Sequence, residues 1–135
     1  MEELIRVTSD KEKAKSSIAL ALDIEDSLKY LNEERFPTTV AETHYEIIKE
    51  LIISIMLIDG FKATGENAHK ETIEYLKNYK EITSEEIMIM DDLRIKRNKS
   101  SYEGKRIDAD YLRNNKHKLI TTIEKLKNIA NRRIK

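Results

Sequence analysis

Arg94, Arg97 and Asn98 stand at i, i+3 and i+4, so a helix through them sets all three on one side. A planar guanidinium beside a carboxamide can hold a phosphate or a carboxylate with several directed hydrogen bonds. Asp91 lies one turn before Arg94, where its carboxylate can orient the guanidinium, and Tyr102 follows in the same segment. Arg94, Arg97, Asn98 and Tyr102 are therefore the candidate phosphate- or RNA-binding residues. A second reading of them is structural: Arg97 and Asn98 tie the end of their helix to the next loop and the next helix.

Metal chemistry finds little support. The chain has no cysteine, which excludes zinc knuckles, disulfides and a catalytic thiol. A di-iron carboxylate bundle needs two Glu-x-x-His pairs and two further inward glutamates. Only Glu66 and His69 have that spacing. His-Glu-x-x-His, the phosphate loop and Gly-x-Gly-x-x-Gly are all missing. No metal and no cofactor is implied. His44, His69 and His117 read as solvated helix residues without an obvious partner for proton transfer.

The elements that must position these residues are helical. With 135 residues, three glycines and one proline, the chain suits a single domain, residues 1–135, with few places for strand turns. Net charge is zero, yet residues 1–93 carry 11 basic and 21 acidic side chains while residues 94–135 carry 14 and 4. Such a split reads either as an acidic half packed beside a basic half or as a basic face for phosphates. The most apolar run, Leu51 to Ile58, is far shorter than the roughly 20 residues that span a membrane. The acidic start lacks signal-peptide order, so the expected location is cytoplasmic.

Ser9 and Glu12 have capping-box spacing and predict the start of a first helix, with Phe36-Pro37 as its stop. Thr39 and Glu42 predict the start of a second, ending at Asp59-Gly60. Its apolar residues cover more than one face, which predicts a central position. A short third helix is expected over about 67–79. A fourth starts at Thr83 or Ser84 and frays at Ser100-Ser101 and Gly104. A fifth runs from about Asp108 to about Asn131. No run alternates in the manner of a strand. Brief connections predict an all-α, up-and-down four-helix bundle core with one additional short helix.

Several segments resemble the HEPN superfamily, particularly its compact archaeal members. They are Tyr45-Glu46-Ile47-Ile48-Lys49-Glu50-Leu51 leading to Leu57-Ile58-Asp59-Gly60-Phe61-Lys62; Leu93-Arg94-x-x-Arg97-Asn98; Tyr102-Glu103-Gly104; and Asp110-Tyr111-Leu112. The resemblance spans roughly residues 40–125. It implies a four-helix core, a homodimer through the late helices, and a small nucleotidyltransferase as a protein partner. Active members of that family cut RNA without metal, using an Arg, a polar residue directly after it, and a His after four to six intervening residues. Arg97 and Asn98 match the first two positions. Where the His belongs, this chain has Tyr102, Glu103 and Gly104. A phenol with a pKa near 10 shuttles protons poorly at pH 7 compared with an imidazole near 6.5. The resemblance thus implies a non-catalytic or weakly catalytic module that dimerises and binds nucleotide, RNA or a protein partner. The alternative is a metal-independent ribonuclease using Arg97, Asn98 and Tyr102, and a third reading is a purely structural bundle.

Overall fold

The second long helix organises the fold, and its composition explains why. In the computed structural model, which describes residues 3–65 and 67–135, α2 runs over Pro37–Asp59 and touches every other α-helix. These are α1 (Lys11–Ser27), α3 (Ala68–Glu74), α4 (Ser84–Glu103) and α5 (Ala109–Ile134). Ile47, Ile48, Leu51, Ile52 and Ile55 of α2 are fully buried, so the multi-faced apolar pattern does mark the centre of the core. Leu93 and Met90 from α4, and Leu112, Leu119, Ile123 and Leu126 from α5, complete it.

Side-chain pairs give the helix directions. Glu42 and Glu46 near the start of α2 meet Ser100 and Arg97 near the end of α4, so these two run antiparallel. Thr38 meets Ile107 just ahead of α5, and Asp59 meets Arg133 at its far end, so α2 and α5 run the same way. The protein is all-α, and no helix among the described residues is long and apolar enough to cross a membrane.

Local signals set some boundaries as expected. Thr83 and Glu86 form a reciprocal capping box at the start of α4, and the Asp108 carboxylate accepts from the Tyr111 amide at the start of α5. Gly60 ends α2 with φ +84°, and a Cβ there would come within 2.9 Å of the Val7 carbonyl oxygen. Only glycine meets both demands without strain.

Other boundaries differ from expectation, each for a tertiary reason. Ser9 does not cap α1: its hydroxyl donates to the Ile58 carbonyl at 2.7 Å, and Asp10 is the cap, accepting from the Lys13 amide. The last carbonyls of a helix have no partner within it. Here the N-terminal strap supplies them: the Asp10 amide donates to the Leu57 carbonyl. Thr39 and Glu42 form no capping box, because α2 already begins at Pro37. Proline suits the first helical position, where its missing amide costs nothing. Glu42 instead accepts from the Ser100 hydroxyl at 2.6 Å, and α4 continues intact to Glu103 rather than fraying at Ser100. The first helix ends at Ser27, followed by a 3-10 turn over Leu28–Tyr30, well before Phe36.

Two short strands were not expected. β1 (Glu3–Arg6) pairs antiparallel with β2 (Phe61–Thr64), Leu4 opposite Ala63 and Ile5 opposite Lys62. Four residues are too few to show alternation, and the pairing spans most of the first half of the chain.

Candidate functional site

One side of α4 carries Arg94, Asn98 and Tyr102, spaced four apart, and α3 brings Asn67, His69 and Lys70 against it. These six residues line a cleft of about 190 Å³. Arg94 is held by Asp91, whose Oδ1 accepts from Nε at 2.8 Å, as the spacing in the helix anticipates. Lys70 and Tyr102 are exposed, Tyr102 strongly so at 80%. Among the described residues no carboxylate lines the cleft; Glu66, and with it the Glu66–His69 pair, falls outside them.

Arg97 is placed differently. Its guanidinium donates to Glu46 Oε1 at 3.3 Å and sits 5.5 Å from the centre of the Tyr45 ring, tying α4 to α2. It does not line the cleft with Arg94, Asn98 and Tyr102. It reaches the cleft through one intermediary. The Tyr45 hydroxyl and His69 Nδ1 are hydrogen-bonded at 3.0 Å, and the two rings stack with centroids 6.2 Å apart. Arg97 thus braces the phenol that braces His69.

The electrostatics of this chain are coherent. Burial pushes the Tyr45 hydroxyl up to about 12, against the pull of Arg97 and Arg94. It stays a protonated phenol that can donate to His69. Partial burial, with the charges of Lys49 and Arg97, holds the His69 imidazolium below its ordinary range, so the ring is neutral at pH 7. When the phenol donates to Nδ1, the neutral ring keeps Nε2–H for an anion's oxygen; when Nδ1–H donates to the phenol instead, Nε2 is left able to accept a proton.

His69 is exposed, as the sequence predicts, but it is not without a partner: Tyr45 stacks on it and shares a hydrogen bond with it. No local signal could have found this, since His69 on α3 and Tyr45 on α2 lie on different elements. His44 departs further. It is 3% exposed, its Nδ1 has no hydrogen-bond partner among the described residues, and burial pushes its pKa down. His117 is exposed, as read.

The chain matches no protein-family model, no curated protein and no solved structure. The functional reading therefore rests on the geometry of this cleft and on the surface of α4. Among the described residues, no three His, Asp or Glu side chains gather in a way that could hold a metal ion.

Proposed function

We propose that the protein is a HEPN-like helical module that binds a phosphate-bearing ligand, a nucleotide or RNA, in the cleft between α3 and α4. The observation that carries this reading is the approach of Arg94, Asn98, His69 and Lys70 to one 190 Å³ space without an opposing carboxylate among the described residues. A phosphate there finds a guanidinium, a carboxamide and an ammonium. In this reading Arg97 is a positioning residue that holds Tyr45 and hence His69.

The same reading includes a homodimer through α4, supported by its surface. Met88, Ile95 and Tyr102 are exposed at intervals of seven residues and form one stripe. Exposed Asp92, with Glu85 paired to Lys118, makes the first half of α4 acidic, and exposed Lys99, with half-buried Lys96 over the Tyr111 ring, makes the second half basic. Two copies crossing antiparallel at Ile95 set Met88 against Tyr102 and acidic half against basic half. That patch is self-complementary, as a two-fold contact requires. With a rise of 1.5 Å per residue, the two Asn98 positions then lie about 9 Å apart along the axis. A nucleotidyltransferase remains the protein partner that the HEPN resemblance suggests.

His69 favours a second reading, a metal-independent ribonuclease. In the tautomer whose Nδ1–H donates to Tyr45, the ribose 2′-oxygen attacks phosphorus as its proton passes to His69 Nε2, the bond to the 5′-oxygen breaks and that oxygen takes the proton back from His69, and Arg94 balances the phosphorane charge. Fluorescence anisotropy with a labelled oligouridylate tests the binding reading. Affinity should fall at least about tenfold in Arg94→Ala and in Asn98→Ala, and fall with rising salt. Unchanged affinity in both variants overturns it. Cleavage of that RNA in chelator, abolished by His69→Ala, establishes the second reading instead.

A further inference from the structure

We propose that a second pocket, which among the described residues shares only His69 with the phosphate cleft, binds a small amphipathic anion: an apolar body carrying one negative group. The cavity measures about 280 Å³, at the small end of ligand pockets, which run from about 300 to 1,000 Å³. Its floor is the α2 stripe Ile53, Met56 and Leu57, closed by Phe61 and Ala63 of β2. Ile53 and Leu57 stay partly exposed on a helix whose other branched apolar residues are almost all buried. The strand that the sequence did not announce is therefore what makes the pocket.

The floor offers water very little. Thr72, the one hydroxyl in the wall among the described residues, already donates to the Ala68 carbonyl at 2.8 Å. Water in an apolar recess with few polar partners is poorly held, and its displacement by hydrocarbon is favourable.

The rim is cationic. Lys13, Lys49 and Lys62 come from three different elements, and among the described residues no Asp or Glu is in the wall. Lys49 is paired with Glu46 at 2.8 Å. Lys13 and Lys62 are exposed and have no carboxylate within ion-pair distance among the described residues. Two uncommitted ammonium groups above an apolar floor select one charge at one end of a hydrophobic molecule. A multiply charged phosphate has nothing to bond in that floor, and the concave shape suits a free molecule rather than a bilayer surface. This site does not rest on the nucleotide reading, although His69 forms part of both walls.

Titration calorimetry of the full chain with sodium decanoate, below its micelle concentration, tests the proposal. Saturable one-to-one binding is expected, with decyltrimethylammonium at least about tenfold weaker. Lys13→Glu combined with Lys62→Glu should weaken decanoate at least about tenfold; both side chains are exposed, and circular dichroism verifies that the fold is kept. Arg94→Ala, on the other cleft, should leave decanoate binding unchanged whether or not RNA binding is lost. Amide shifts on decanoate addition should centre on Ile53, Leu57 and Ala63. No saturable binding, equal affinity for the cationic amphiphile, indifference to the double lysine reversal, or shifts confined to α4 would each overturn the proposal.

Discussion

Asp59 closes the end of the molecule where α2, the turn after α3 and the tail of α5 meet, and replacing it with Asn should be costly. Its Oδ2 accepts from the hydroxyls of Tyr75 and Tyr79, at 2.6 and 2.5 Å, and its Oδ1 accepts from Arg133 Nε at 3.0 Å. The Asp59 side chain is 12% exposed and that of Arg133 is 43% exposed. An asparagine keeps one acceptor oxygen but turns an NH₂ toward either the two phenols or the guanidinium, setting donor against donor. Hydrogen bonds to charged groups contribute about 1.5–3 kcal/mol each, so Asp59→Asn should cost about 2–3 kcal/mol. For a chain of this size, about 3–4 °C of melting temperature per kcal/mol gives a drop of about 6–12 °C. Arg133→Gln removes only the half-exposed ion pair and should cost at most about 1 kcal/mol.

The pH dependence has a definite sign. Partial burial pulls the Asp59 pKa up, but hydrogen bonds from Tyr75, Tyr79 and Arg133, with the Arg133 charge, hold it below its ordinary 3.8. A carboxyl depressed on folding stabilises the protein above its unfolded pKa and loses that contribution as pH falls through the folded value. Thermal melts at pH 7 and at pH 3 should show the gap between wild type and Asp59→Asn narrowing in acid. If Asp59→Asn costs no more than Arg133→Gln at pH 7, the clasp is a surface ion pair and the reasoning fails.

Buried His44 should make the protein acid-sensitive in a separate window: burial lowers its folded pKa below 6.5, so the unfolded chain binds the extra proton and stability falls as pH drops from about 7 to 5.5. Urea midpoints for His44→Leu should vary less with pH over that range than those of the native chain, and an equal slope would contradict the assignment. Asp10→Ala should cost about 1 kcal/mol as the loss of a helix cap, whereas Thr39→Ala, at an exposed site already inside α2, should stay within about 0.5 kcal/mol; chemical denaturation distinguishes the two. Gly60→Ala combines a positive φ with a Cβ contact to the Val7 carbonyl, so it should destabilise by more than about 1 kcal/mol, and faster amide exchange in β1 would locate the damage at the N-terminal strap.

What the sequence determined by itself was local. The Thr83–Glu86 box, the Asp108 cap and the Gly60 terminus all work through bonds within one helical turn, so their spacing is enough to read them. The isoleucine-rich faces of α2 announced its central place because burial follows the average hydrophobicity around a helix, whatever the neighbours are. The Arg94–Asn98 spacing showed a shared side, and these two do line one cleft with Tyr102. The tertiary structure decided everything that depends on competition for a partner. Ser9 had a valid cap spacing but lies where the end of α2 needs a donor more; Glu42 had one too but faces Ser100. Arg97 shares a helix side with Arg94, yet Glu46 and the Tyr45 ring on α2 draw it away from the cleft. His69 enters that cleft only because α3 packs against α4, and β2 meets β1 only because the chain returns past its own start. A polar side chain bonds with whatever group packing brings within about 3 Å, and a distant group's arrival leaves no mark in the residues beside it.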